Sequence, residues 1–284
     1  MVKEIKLSVI TINYNDYKGL QKTLESVFGQ SYKNCELIVI DGNSSDASKS
    51  YLEKNSSKID YWISEPDKGI YNAMNKGLLR ATGDYVLFLN SGDWFTTNDV
   101  ISKALNLFTG EDIIYGNLIN RYNKDKCIVN KGASGKQLTL KHFFDGSSLA
   151  FPATFFKRII FNNYGNFDET LKVVSDWKFF IETIILNNAS VKYIDIEIAY
   201  FDMNGISNSS FNLKTNERKQ VLQELLPIAI YNDYIELKAS ENLLNQNRFK
   251  MLKELEYSNL SKKVLSVFLR IMLFVFKRKI LKDL

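Results

Sequence analysis

Two apolar runs of this chain stop at carboxylates. Leu37-Ile38-Val39-Ile40 runs into Asp41, and Leu87-Phe88-Leu89 leads through Asn90-Ser91-Gly92 to Asp93. If both runs are strands of an open parallel α/β sheet, their acids meet in the crevice beyond the strands' carboxyl ends. Such crevices bind nucleotides, with any metal ion that accompanies them. Taken singly, either Asp could do no more than open a turn or cap the next helix. What surrounds the two acids decides between these readings.

The elements that would position them follow from periodicity. Short apolar strands near 7–13, 36–41, 60–64, 85–90 and 112–116 alternate with helical stretches at 17–28, 47–54, 70–80 and 98–108. That alternation is the mark of βαβ units and a mostly parallel sheet. In the first helix Leu20, Leu24, Val27 and Phe28 share one side. From about 120 to 205 the pattern loosens into polar loops over 120–137, a helix near 176–187 and a strand near 191–200. Beyond Ser207 the composition is helical, with Pro227 as the one clear break. The expected organisation is a domain over 1–205, with halves 1–118 and 119–205, and a helical region over 206–284.

With 284 residues, 45% hydrophobic and 13% aromatic, the chain can bury a substantial core. Cys35 and Cys127 stand far apart, so neither a disulfide framework nor a zinc site is indicated, and a reducing cytoplasm fits. The first apolar run, Leu7 to Ile12, is too brief for a signal-peptide core and reads as a buried strand. Of the formal charge of +5, the tail 261–284 carries more than the whole. Lys262, Lys263, Arg270, Lys277, Arg278, Lys279 and Lys282 face only Asp283 there, a net +6, so the rest of the chain sums to −1. A nucleic-acid binder would spread its basic charge over a folded face, so no nucleic-acid partner is expected. Between the basic ends, Val264 to Phe276 is apolar but interrupted by Arg270, and too short to span a bilayer. An interfacial helix on an anionic membrane fits it. A C-terminal helix packed on the domain, or on the second subunit of a homodimer, fits equally well.

The ordered motifs resemble a known family. Ser8-Val9-Ile10-Thr11-Ile12-Asn13-Tyr14-Asn15, then Leu24-Glu25-Ser26-Val27 and Gln30, then Glu36 through Asp41-Gly42-Asn43-Ser44-Ser45-Asp46 are similar to family-2 glycosyltransferases of the GT-A fold. Ser64-Glu65-Pro66-Asp67-Lys68-Gly69-Ile70-Tyr71-Asn72-Ala73-Met74-Asn75-Lys76-Gly77 and Ala81-Thr82-Gly83-Asp84-Tyr85 resemble the bacterial branch that builds capsular and other surface polysaccharides. The resemblance covers roughly residues 6 to 205, and the series is far more specific than any single motif. It implies an α/β, Rossmann-like GT-A fold, a mostly parallel central sheet flanked by helices, here with a helical C-terminal extension. It also implies transfer of a hexosyl or N-acetylhexosaminyl group from a nucleotide-sugar donor, with UDP the expected nucleotide. The acceptor would be a saccharide or a polyprenyl-diphosphate-linked saccharide, at the cytoplasmic face of the membrane.

A diphosphate that leaves with negative charge calls for a divalent cation, Mg or Mn, on a carboxylate. The resemblance puts the nucleoside pocket at Thr11, Asn13 and Asp41. Asp41 could accept from a base imide N–H, or merely cap the helix that starts near Asp46. Asp67 could line the same pocket and Lys68 could face phosphate or solvent, although Pro66 and Gly69 suit a plain turn as well. Asn90-Ser91-Gly92-Asp93 takes the place of the family's Asp-x-Asp signature and departs from it. Asn90 replaces the leading acid and Gly92 the middle one, so Asp93 is left as the one carboxylate expected to hold the metal, or else as a turn entering the helix near Asn98, with Ser91 on the donor and Asn90 on either the metal or the ribose. On the acceptor side, Phe151-Pro152-Ala153-Thr154-Phe155-Phe156, Tyr164-Gly165-Asn166-Phe167-Asp168-Glu169 and Val173-Val174-Ser175-Asp176-Trp177 resemble the family's motifs. They make Asp176 the expected general base of an inverting transfer. Asp176 could also cap its helix. Phe151 stands where relatives often carry His, and the one histidine, His142, has an incidental role as its default.

Competing classes lack their signatures. There is no Gly-x-Gly-x-x-Gly after the first strand and no Gly-x-x-x-x-Gly-Lys-Ser/Thr. The Gly-rich, Arg-containing first loop of sugar-nucleotide pyrophosphorylases is replaced by Thr11-Ile12-Asn13-Tyr14-Asn15. The weakened Asp-x-Asp leaves one contrast open, a non-catalytic nucleotide- or carbohydrate-binding subunit of a polysaccharide assembly complex.

Overall fold

The computed structural model describes residues 4–123, 126–203 and 211–280, with side chains through Phe276. The first half is a run of βαβ units. Strand β1 (Leu7–Asn13) leads to α1 (Tyr17–Phe28), β2 (Cys35–Asp41), α2 (Ser48–Lys54), β3 (Tyr61–Ser64), α3 (Ile70–Leu78) and β4 (Tyr85–Phe88). Then come β5 (Trp94–Phe95), α4 (Val100–Leu105), β6 (Ile113–Arg121), β7 (Cys127–Asn130), α5 (Leu140–Phe144), β8 (Thr154–Lys157), α6 (Ile159–Tyr164), α7 (Ser175–Phe180) and β9 (Val191–Asp202). The helix expected near 176–187 is α7, which passes into a π-helical turn at Ile181–Leu186.

The strands form one sheet in the order β3-β2-β1-β4-β8-β6-β9-β5, with β7 beside β6. β3, β2, β1 and β4 are parallel, as are β6 and β9, whereas β8 runs antiparallel between β4 and β6. Three of these strands fall where none was expected, and one of them, β5, is only two residues long. β7 lies within the 120–137 segment read as polar loop, and its four residues are exposed at an edge, so no burial pattern marks them. β8 is four residues long and occupies the phenylalanine-rich motif read only as an acceptor-side segment.

Every residue of β1 is buried, as a strand covered on both faces must be. The two faces carry different cores. On one, Leu7, Val9, Leu37, Val39, Leu87, Phe155 and Ile114 pack with Leu20, Leu24 and Val27 of α1 and with Ile101 and Ala104 of α4. On the other, Phe88, Phe151, Phe156, Phe161, Phe167, Phe179 and Phe180 form a linked aromatic cluster. Phe151 stacks on Phe88 at 5.2 Å between ring centres, so the position where relatives often carry His is packing here. Against this second face lies α3, where a Cβ on Gly77 would sit 2.5 Å from Ile10 Cγ2. Only glycine allows that approach.

The chain forms two compact units, Met1–Leu225 and Leu226–Leu284. Helix α8 (Phe211–Leu225) belongs to the first, and buries Glu217, Val221 and Leu222. The boundary expected at 205/206 falls outside the described residues. The second unit holds α9 (Ile228–Leu244), α10 (Asn247–Leu255) and α11 (Asn259–Ile280), with Pro227 at the N-cap of α9. Along α11, Val264, Val267, Phe268, Ile271, Leu273, Phe274 and Phe276 are all exposed. Among the described residues no helix is long and apolar enough to cross a membrane. Of the tail expected over 261–284, Lys282 and Asp283 lie outside the described residues.

Candidate active site

Asn13 and Asp41 end β1 and β2 in register, and Ser64 ends β3 opposite Asp41. The carboxylate of Asp41 is fully buried and holds this corner together. Oδ1 accepts from Asn13 Nδ2 at 2.7 Å and Ser44 Oγ at 2.6 Å, while Oδ2 accepts from the Ser44 N–H at 2.9 Å and Ser64 Oγ at 2.6 Å. Asp41 does not cap the following helix, whose N-cap is Ala47, and just before it Asp46 accepts from the Ser48 and Tyr17 N–H groups. Beside this network two buried polar atoms have no partner, Thr11 Oγ1 and Asn13 Oδ1. Unpaired buried polar atoms are costly and mark places where a ligand can pair them. Asp67 reaches the same corner, since a Cβ on Gly42 would meet its Oδ2 at 3.0 Å. Lys76 of α3 pairs with Asp67 at 2.7 Å and Glu65 at 2.8 Å. Lys68 is exposed, and its N–H donates to Asn72 Oδ1.

The turn after β4 is pinned to α1. Thr23 Oγ1 donates to the Asp93 carbonyl at 2.6 Å and accepts from the Gly92 N–H at 3.1 Å, and Ser91 Oγ donates to the Asp16 carbonyl. Gly92 has φ +95°, and a Cβ on Gly19 would come within 2.8 Å of the Gly92 nitrogen. Glycine at 92 thus meets a backbone need where an acid is usual. Asn90 Oδ1 is buried without a partner. The Asp93 side chain is 5% exposed, and burial first, then the charge of Asp202 on β9, push its carboxyl well above the ordinary range. The Asn90 backbone and Lys22 oppose that shift. Lys22 lies 2.9 Å from the centre of the Trp94 ring, with Arg121 on the same ring at 5.4 Å. Neither Asp202 nor Lys22 stood out in the sequence, because they come from β9 and α1.

Among the described residues no three His, Cys, Asp or Glu side chains group to hold a metal ion by themselves. The donor set at the end of β4 still suits one. The Asp93 carboxyl, disfavoured as an anion by burial first and then by Asp202, and the orphaned Asn90 amide oxygen are oxygen donors of the kind that fit a divalent cation whose remaining ligands substrate oxygens could supply.

Asp176 sits in the first turn of α7, two residues past the N-cap Val174, and so does not cap the helix. Its Oδ1 accepts from the Tyr71 hydroxyl at 2.9 Å. Burial raises its pKa, opposed by Tyr71, the Trp177 backbone, Lys214 and Arg218. Burial and the adjacent carboxylate push the Tyr71 phenol far up, so it stays a donor. Helix α3 ties the two halves together. Asn75 Nδ2 donates to the Phe167 carbonyl at 2.8 Å and to Glu169 at 2.9 Å, and its Oδ1 accepts from the Phe167 N–H at 3.1 Å. Asn72 donates to Glu169 at 2.8 Å. One helix thus touches Asp67 through Lys76, the 167–169 loop through Asn72 and Asn75, and Asp176 through Tyr71. A polar set at spacing 71, 72, 75 and 76 in an otherwise amphipathic helix was the available signal. His142 is half-buried and its pKa is lowered, chiefly by burial.

A parallel β3-β2-β1-β4 half with polar ligand-facing strand ends, joined to a half that delivers a buried carboxylate, is the GT-A arrangement of a nucleotide-sugar glycosyltransferase. Residues 8–156 match the model of glycosyl transferase family 2, and the chain belongs to that family. Over 206 residues, 71% of this chain and 77% of the relative, it is 32% identical to an uncharacterized glycosyltransferase of Mycobacterium tuberculosis. It is 26% identical over 210 residues to a PGL/p-HBAD biosynthesis glycosyltransferase of Mycobacterium bovis, covering 71% of this chain and 79% of that one. Two solved structures share the fold. S. aureus TarS 1-349 in complex with UDP-GlcNAc aligns with TM-score 0.62 and 21% identity over 77% of this chain, which spans 64% of that one. The mannosyltransferase PcManGT of Pyrobaculum calidifontis, in complex with GDP-Man and Mn2+, aligns with TM-score 0.63 and 13% identity over 96% of this chain and 81% of that one.

Proposed function

We propose that the chain is an inverting glycosyltransferase that moves a sugar from a UDP-sugar to a hydroxyl of a saccharide or polyprenyl-diphosphate-linked saccharide, in surface polysaccharide assembly. The observation that carries this reading is the seating of Asp176, a buried carboxylate with a raised pKa held by Tyr71 on the helix that also contacts the donor corner. An idle binding subunit has no use for a buried, activated carboxylate in that place.

The donor's nucleoside would enter the corner of Thr11, Asn13, Asp41 and Asp67, pairing the orphaned Thr11 Oγ1 and Asn13 Oδ1. Asn90 and Ser91 would stand at the ribose and diphosphate. Asp93, with Asn90 beside it, would hold Mg or Mn, which supplies positive charge to the leaving diphosphate. Asp176 takes the proton of the acceptor hydroxyl as its oxygen bonds to the anomeric carbon, and the bond from that carbon to the diphosphate breaks on the opposite face. The nucleoside diphosphate leaves with the electron pair. The product carries inverted configuration. The enzyme would work at the cytoplasmic face of the membrane, held there peripherally by residues 261–284.

Asp176→Asn should keep donor binding while transfer falls by the ~10²–10⁴-fold typical of a lost general base. A screen of UDP-, GDP- and TDP-sugars on the purified protein, with the anomeric configuration of the product read by NMR, tests the reading. Retained configuration, or near wild-type transfer by the variant, overturns it.

A further inference from the structure

We propose that Lys214 and Arg218, one turn apart on α8, form a seat for a phosphate group carried by the acceptor, beside Asp176. The proposal rests on the glycosyl-transfer reading above and adds to it the chemistry of the acceptor.

Arg218 is held in place. Its Nη1 donates to the Gly146 carbonyl at 2.6 Å, and its guanidinium lies 5.0 Å from the centre of the Trp177 ring. The Trp177 indole N–H in turn donates to the Ser147 carbonyl at 3.0 Å. Gly146 has φ +88°, and a Cβ there would meet Arg218 Nη1 at 2.9 Å, so the 146–147 turn is shaped around this side chain. These contacts bring α8, the start of α7 and the 146–148 turn together. On the same segments, Arg218 Nε and the hydroxyls of Ser148 and Ser175 are buried with no partner. The free Nε of a fixed guanidinium and two unpaired hydroxyls on the segments it joins are donors that the oxygens of a phosphate can satisfy.

The charges agree. Among the described residues neither Lys214 nor Arg218 forms an ion pair, and the one acid that acts on either is Asp176. Burial first, then Arg218, destabilises the Lys214 ammonium. The neighbouring acid, Glu217, accepts from the Lys172 and Val173 N–H groups at 2.8 and 3.0 Å and balances neither cation. The charges acting on Asp93 are instead Asp202 and Lys22. The pair therefore belongs to the base and not to the metal end of the site. Because attack comes from the face opposite the donor's diphosphate, a cation beside the base meets the acceptor. An acceptor whose reacting sugar is joined to a phosphate or diphosphate presents such an anion.

Calorimetry on the full chain, with inorganic phosphate titrated into UDP-saturated protein at low and high salt, tests this. Wild type should bind phosphate, and Arg218→Gln and Lys214→Gln should each weaken that binding at least tenfold while UDP affinity stays within twofold. Among the described residues Lys214 makes no side-chain hydrogen bond or ion pair, so its variant stands even if Arg218→Gln perturbs the fold. If UDP affinity falls in step with phosphate affinity, the pair serves the donor diphosphate and the proposal is wrong. No phosphate binding, or equal binding by both variants, is equally fatal to it. If UDP does not bind at all, the donor reading fails, and the same titrations on donor-free protein still decide the seat.

Discussion

The hydroxyl of Tyr71, in the first turn of α3, donates to Oδ1 of Asp176, in the first turn of α7, at 2.9 Å across 105 positions of sequence. Both groups are buried, so the bond fixes the carboxylate's direction and favours its ionised form against the burial that disfavours it.

Removing that hydroxyl should change the pH profile and leave the fold intact. With the Asp176 pKa raised, activity should fall on the acid side at a pH above the ordinary carboxylate value of about 3.9. Tyr71→Phe removes a contribution that lowers the pKa, so the acid limb should move to still higher pH. The pH dependence of kcat/KM for wild type and variant checks this. A purely structural tyrosine would lower the rate at every pH without moving the limb.

Asp93 should couple metal to nucleotide. Calorimetry with UDP should show tighter binding with Mg or Mn than with chelator, and Asp93→Ala should abolish the difference. Unaltered metal dependence in the variant would remove Asp93 from that role. The protein alone should hold metal weakly, since on the proposed reading substrate oxygens would complete the ligand set near Asp93.

Far from the site, Glu36 should govern acid stability. Its carboxylate accepts from Ser8 Oγ at 2.5 Å and from the Thr82 N–H and hydroxyl at 2.6 and 2.7 Å, and pairs with Lys6 at 2.6 Å. Burial raises its pKa, but Lys6, Ser8 and Thr82 outweigh that and hold it down to about 2. A depressed folded-state pKa contributes stability above the unfolded value of about 4.3, which is lost as pH falls towards 2. Glu36→Gln should cost about 2–3 kcal/mol at pH 7, the linkage expected of a carboxyl held near 2 in the folded state, and the cost should shrink between about pH 4 and 2. Urea titrations at several pH values measure it.

The tail should bind anionic vesicles. Each Lys or Arg near such a surface contributes about 1 kcal/mol, and the exposed apolar residues of α11 can enter the headgroup boundary. Binding in a flotation assay should weaken sharply with salt and vanish when the chain is cut after Leu260, while donor hydrolysis persists. Loss of a dimer on truncation would instead assign the helix to a subunit contact.

The sequence by itself determined the parallel half of the sheet and the acids at its edge. Strand and helix periodicities are local, and a strand buried on both faces, such as β1, writes its apolar run directly into the chain. The order of motifs was enough to single out Asp176 and Asp93 as candidates. The tertiary structure alone decided the partners of those groups. The polar set of α3 that includes Tyr71 does not say which carboxylate it will meet until α7 packs beside it, and Asp202 and Lys22 come to Asp93 from a strand and a helix distant in sequence. β8 slots antiparallel between β4 and β6, a pairing that four residues of sequence do not specify. Phe151 is explained by the Phe88 ring beneath it. Each of these depends on long-range packing, in which free energy comes from surfaces meeting across the fold and leaves no period in the chain.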